Sequence, residues 1–234
     1  MPRTFAPRRG GWTPPQTAAL VGAWVRGLSG DVAKLGVWPG QYGTAQGLTL
    51  AANAAVDANG LTVAGGGDKG TAVGLAQADV PWTISFWVRQ IAVQPATAAV
   101  VTHGDYAHGM WINAVNAGTR NIGWYTGTSG GLHFTAGIAD AAWHLVTVTN
   151  DNLPPFGMGT GCKLYVDGQP AGTYGNQSID ANANAFTAGA GSVFGSWFYF
   201  RGNLDCIYYW QGAALTAAEV VKLWSEDPHR RGNL

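Results

Sequence analysis

The chain has 234 residues, 47% of them apolar and 11% charged, with thirteen basic and thirteen acidic side chains. This length suits one large all-β domain, and the apolar share can fill a core without a metal or a partner. Cancelling charges leave no field to draw in nucleic acid, and no stretch reaches the ~18 apolar residues of a membrane span, so neither partner is expected.

Thirty-five glycines and eleven tryptophans suit Gly-rich turns between aromatic strands. Residues 1–17 read as an extended arm, because Pro2, Pro7, Pro14 and Pro15 exclude a regular helix and Gly10-Gly11 loosens the rest. Arg3, Arg8 and Arg9 have no acid nearby, and Phe5 and Trp12 offer apolar area to a partner. The arm lacks the unbroken apolar stretch of a signal peptide, so secretion by its own signal is not expected.

From Leu20 onward, short alternating runs predict antiparallel strands in a body spanning 18–226. Thr83–Arg89 places Ile84, Phe86 and Val88 on one face, and Trp143–Thr149 does the same with Val146 and Val148. Lys163–Val166 runs into Asp167-Gly168, a strong hairpin turn, and Leu204–Trp210 is a further strand. One helix is predicted near 216–225. Thr216 is its N-cap, Glu219 completes a capping box, and Leu215 and Val220 form a hydrophobic staple. Val220, Leu223 and Trp224 make its apolar stripe, Asp227-Pro228 ends it, and 227–234 is a C-terminal tail.

WTISFWVR (82–89), AWHLVTVTND (142–151), KLYVDGQPAG (163–172) and GNLDCIYYWQGAALTAAEVVKLW (202–224) follow one another in an order and spacing that resemble the laminin-G-like, concanavalin A-like lectin/glucanase superfamily. LVGAW (20–24) is similar to its opening strand, and LTVAGGGDKGTAV (61–73) looks like a degraded form of an early strand. The resemblance implies a two-sheet jelly-roll β-sandwich with one short C-terminal helix. Asp205 matches the family's closing-strand aspartate and is the candidate ligand for the structural calcium that some relatives hold. A structural hydrogen bond is the favoured role, since Cys206 stands where the family has an acid. No other cofactor is expected.

Catalysis is not expected. Glycoside hydrolysis needs two carboxylates flanking one bond, yet Glu219 and Glu226, the two glutamates of the chain, lie in or beside the capped helix. Gly127-Thr128-Ser129-Gly130-Gly131 has the letters of a nucleophile elbow but lies between antiparallel strands, where it reads as a hairpin loop. Gly65, Gly67 and Gly70 match a dinucleotide fingerprint with no helix to follow, so they read as a turn. His103, Asp105 and His108 read as a polar surface loop, not as metal ligands. Cys162 and Cys206 are two thiols or one bridge. Alternation favours thiols, since Cys162 shares a face with Leu164 while Cys206 sits opposite Ile207.

Aromatic side chains are the ligand candidates: Trp197, Tyr199, Trp124 and Tyr106. A flat ring beside hydrogen-bonding groups suits a sugar, and core or edge cover is the alternative. The functional expectation is a non-enzymatic binding or structural module. Its first setting is a bacteriophage virion, as a capsid decoration or tail component assembled in the host cytoplasm. There the arm would hold the major capsid protein or another virion protein, with a host-surface glycan as a further partner and homo-oligomerisation open. Its alternative is an extracellular carbohydrate-binding module of a bacterial surface.

Overall fold

The computed structural model describes residues 14–24, 37–38, 47–57, 60–73, 75, 80–91, 94, 97–103, 108–112, 121–125, 132–138, 141–151, 161–174, 185–193, 196–227 and 229. They form two sheets of eight and ten strands. In the eight-stranded sheet the order is Gln169–Tyr174, Cys162–Val166, His144–Asn150, Trp82–Gln90, Gly202–Gln211, Gly60–Val63, Ala55–Asp57. Leu20–Trp24 pairs with the second half of Gly202–Gln211. The ten-stranded sheet runs Leu132–Gly137, Asn121–Tyr125, His108–Ile112, Ala98–His103, Ala185–Ala188, Lys69–Val73, Leu48–Ala51, Val37–Trp38. A hairpin of Ala190–Val193 and Ser196–Tyr199 joins it where Tyr199 pairs with Ala99.

Period-two alternation decides which side chains fill the space between the sheets. Ile84, Phe86 and Val88, Val146 and Val148, and Leu164 all point into this inter-sheet core. Trp24 stacks there on Phe186 at 5.3 Å, and Trp82 lies against Trp124 at 4.8 Å. Each buried ring removes enough apolar area from water to contribute a few kcal/mol.

The intervening residues face the other way. Trp87, Leu145, Tyr165, Tyr208 and Trp210 form a second core under the helix Ala217–Glu226. Thr83 ties this layer to the sheet. Its hydroxyl donates to the Ala213 carbonyl at 3.1 Å and accepts the Leu215 N–H at 2.9 Å. The capping box is formed as predicted: Thr216 accepts from the Glu219 backbone, and the Glu219 carboxylate accepts the Thr216 N–H at 2.8 Å. Leu215 and Val220 are both buried, and Asp227 caps the far end through its N–H on Leu223. At the Asp167-Gly168 turn both φ angles are positive, 52° and 76°, as the predicted hairpin requires.

The stretch 61–73 is two strands, not one. Gly65, Gly66 and Gly67 turn with φ of 93°, 65° and 114° and carry the chain from one sheet to the other. Asp68 fixes this corner by accepting the N–H groups of Asn53 and Ala64, each at 2.9 Å.

Both predicted domain limits move outward. Pro14 is buried, the Pro15 carbonyl accepts the Trp210 indole N–H at 2.9 Å, and the Gln16 amide reaches both Glu219 oxygens at 3.0 Å. Residues 14–16 are therefore a strap on the helix-side layer, not the end of a separate arm. Arg3, Phe5, Arg8, Arg9 and Trp12 lie outside the described residues. At the other end Asp227 is fully buried and His229 packs beside it, so the body does not stop at 226.

Candidate functional site

The outward face of the ten-stranded sheet presents a polar row next to an aromatic pair. In Lys69–Val73, Gly70 and Ala72 face the core, where a Cβ on Gly70 would lie 3.2 Å from Leu48. Lys69, Thr71 and Val73 therefore face outward. Cross-strand register then aligns Thr49, Thr71, Thr187 and Thr102 on four neighbouring strands. The row is open at Thr49 and half-open at Thr71. It is closed at Thr102, whose hydroxyl donates to the Ala190 carbonyl at 3.0 Å in the overlying hairpin.

That hairpin carries the aromatic pair. Trp197 and Tyr199 lie two residues apart on one strand face, with ring centroids 6.2 Å apart and planes within 13°. Phe198 points the other way and packs on Trp111. Trp197 is 44% exposed, whereas Trp24, Trp82, Trp111, Trp124 and Trp210 are at 0–1%. The Lys69 ammonium sits 3.4 Å from the centre of the Trp197 ring, a cation–π contact. Partial burial pushes the Lys69 pKa below its ordinary value.

Trp124 does not join them. It lies in the inter-sheet core against Trp82, so its ring faces protein on every side. Tyr106 lies outside the described residues, as do Asp105 and the whole Gly127–Gly131 stretch. His103 is not on a surface loop. It ends a strand, fully buried, with Nε2 2.8 Å from the Leu75 carbonyl. His103 pairs in register with His108 across two neighbouring antiparallel strands. Lys69 and the threonines went unnoticed in sequence because a lone lysine and scattered threonines carry no motif. The signal present was the alternation Lys69-x-Thr71-x-Val73 after a glycine turn.

A second polar cluster lies under the helix. A β-bulge between Asp205 and Tyr208, with Cys206 at φ 44°, adds one residue to the strand. Leu204 and Ile207 both reach the inter-sheet core, and Cys206 turns toward the helix. Asp205, at 0% exposure, accepts the Cys206 N–H on Oδ1 and faces His229 Nδ1 with Oδ2, each at 2.8 Å. Nearby, Asp227 accepts the Tyr208 hydroxyl at 2.9 Å and the His229 N–H at 2.8 Å. Burial pushes the Asp227 carboxyl up to about 6, against the pull of those bonds. Burial, then the nearby carboxylates of Asp227 and Asp205, push the Cys206 thiol well above its usual range, which makes it a poor nucleophile.

Each Asp205 oxygen meets a nitrogen at 2.8 Å, and among the described residues no three His, Cys, Asp or Glu side chains are placed to hold a metal. The role seen for Asp205 is the hydrogen bond. Cys162 lies in the inter-sheet core and Cys206 under the helix, on opposite faces of one sheet, as unbridged thiols.

Residues 43–221 match a laminin-G family described as the concanavalin A-like lectin/glucanases superfamily. No curated protein matches the chain in sequence. Among solved structures, a sialidase of Trypanosoma rangeli in complex with a 2,3-difluoro-nononic acid (2,3-difluoro-KDN) is 19% identical with a TM-score of 0.65. The match covers 88% of this chain and 32% of the sialidase, so the chain spans about a third of that protein. Domain 4 of the extracellular arabinanase AbnA from Geobacillus stearothermophilus, in complex with arabinotriose, is 18% identical with a TM-score of 0.56. There the match covers 87% of this chain and 97% of that domain. The binding domain of botulinum neurotoxin DC, in complex with rat synaptotagmin II, is 11% identical with a TM-score of 0.59, over 89% of this chain and 52% of that one.

Proposed function

The chain belongs to the concanavalin A-like lectin/glucanases superfamily, and on that footing we propose that it is a non-catalytic module that binds a glycan through Trp197 and Tyr199. The observation that carries this reading is the parallel ring pair on the outward face, with Trp197 open beside a row of threonine hydroxyls. Sugars present an apolar C–H face ringed by hydroxyls, which such a surface complements. The arabinanase domain, similar over nearly its whole length, is described as a complex with arabinotriose. Supporting a non-catalytic role, Asp68, Asp167, Asp205, Asp227 and Glu219 each accept bonds that hold turns, the bulge or the helix cap.

Glycan-array binding followed by calorimetry tests the reading. Trp197→Ala should reduce affinity by about tenfold or more, the scale of a lost stacking contact, with no reducing ends released by the parent protein. Full affinity in the folded variant, or cleavage of a bound glycan, would overturn it.

Its proposed setting is a bacteriophage virion, with the Arg- and Pro-rich residues before the strap as the attachment to a capsid or other virion protein. The support is the three arginines and two prolines within residues 1–13. Co-sedimentation with particles, lost on removal of those residues, is the measurement. Full incorporation without them would move the attachment to the sandwich.

A further inference from the structure

We infer that the ligand of this face is a carboxylated sugar, a uronic or sialic acid, whose carboxylate is received by Lys69 beside the Trp197 ring. The inference rests on the reading that Trp197 and Tyr199 stack on a glycan.

A lysine at the surface ordinarily extends into water or meets an acid. Lys69 does neither among the described residues. Its strand directs it outward, its side chain is half-buried, and its ammonium rests on the open ring of Trp197. Its lowered pKa has a single physical cause, loss of water, with no carboxylate acting on it. A partly dehydrated cation without a counter-ion attracts an anion more strongly than a hydrated one does. The ring occupies one side of the ammonium, which has three N–H donors in all. A carboxylate arriving next to the ring can accept the others in a charge-assisted bond.

The surroundings choose the kind of anion. Phosphate-binding sites gather backbone N–H groups at a helix N-terminus or several arginines. Here the neighbours are strand side chains: an aromatic pair for the sugar's C–H face and Thr71 and Thr49 for its hydroxyls. One charge, one flat apolar surface and a line of hydroxyls match a sugar that carries a single carboxylate. The alternative, a lysine that only braces the hairpin, predicts no preference for charge.

The test compares the intact protein on matched probes: polygalacturonate against neutral galactan, and sialyllactose against lactose, with each variant checked for native circular dichroism. The expected result is binding about tenfold tighter to one of the acidic probes than to its neutral partner, reduced by added salt. Lys69→Gln should erase that preference and leave weak neutral-sugar binding, whereas Trp197→Ala should remove both. Which acidic probe binds separates uronic from sialic acid. Equal binding of acidic and neutral probes, unchanged in Lys69→Gln, would overturn the inference while leaving the glycan reading intact. Loss of neutral binding in Lys69→Gln would make the lysine a brace for Trp197 and overturn it too. No binding of any glycan by folded parent protein would remove the reading beneath it.

Discussion

His229 Nδ1 lies 2.8 Å from the Asp205 carboxylate, joining the segment after the last helix to the bulge of the longest strand. The imidazole ring sits 4.5 Å from both the Trp87 and Trp143 rings, so it closes the helix-side core as well as partnering a buried acid. His229→Ala removes a side-chain partner of one Asp205 oxygen. Losing such a buried hydrogen bond costs about 1–3 kcal/mol, and urea unfolding should show a loss of that size. An unchanged midpoint would mean that water replaces the imidazole without penalty.

Asp227 gives the fold a distinct pH response. Its folded-state pKa is raised by burial from 3.8 to about 6, so the folded protein holds that proton more tightly than the unfolded chain. Its contribution is therefore full below about 3.8 and is lost as pH rises through about 6. Glu219 acts in the opposite sense. Bonds from Thr216 and Gln16 outweigh its burial and lower its pKa, so its contribution is present above 4.5 and is lost as pH falls through the folded value. Facing Asp227 are Asp205, Cys206, Tyr208 and the backbone of His229. In Asp227→Asn the titrating group is gone. Relative to the variant, the parent should lose up to about 3 kcal/mol between pH 4 and 6. Parallel stability curves for the two proteins would contradict the assignment.

The strap at 14–16 can be tested by two shortened chains. One begins at Pro14 and keeps the Pro15 carbonyl for Trp210 and the Gln16 amide for Glu219; the other begins at Thr17 and lacks both. The second should be less stable by about 1–3 kcal/mol, most of it from the orphaned indole N–H. Equal melting temperatures would show that the strap lies on the body without holding it.

Gly168 couples the hairpin to the helix. Its φ of 76° is costly for any side chain, and a Cβ would stand 3.2 Å from the Cβ of Trp224. Gly168→Ala should destabilise by about 1–2 kcal/mol and shift Trp224 emission. A neutral substitution would mean that the turn relaxes to a different type.

Some of this protein is local, and the sequence determined it. Alternation alone sends Phe86 to one face and Trp87 to the other, because successive side chains of a strand point to opposite sides. The helix from Ala217 to Glu226 follows from Thr216, Glu219, Leu215 and Val220, whose caps and staple act within a few residues. Contacts between distant segments were decided only by the tertiary structure. Gln16 meets Glu219 across 203 positions, Lys69 meets Trp197, and Trp124 is buried because Trp82 lies opposite it. The bulge is the clearest case. One residue in a left-handed conformation lets Leu204 and Ile207, which simple alternation would send to opposite faces, both reach the inter-sheet core. An inserted residue changes the face of everything beyond it, and pairing with Trp82–Gln90 reveals where the insertion falls.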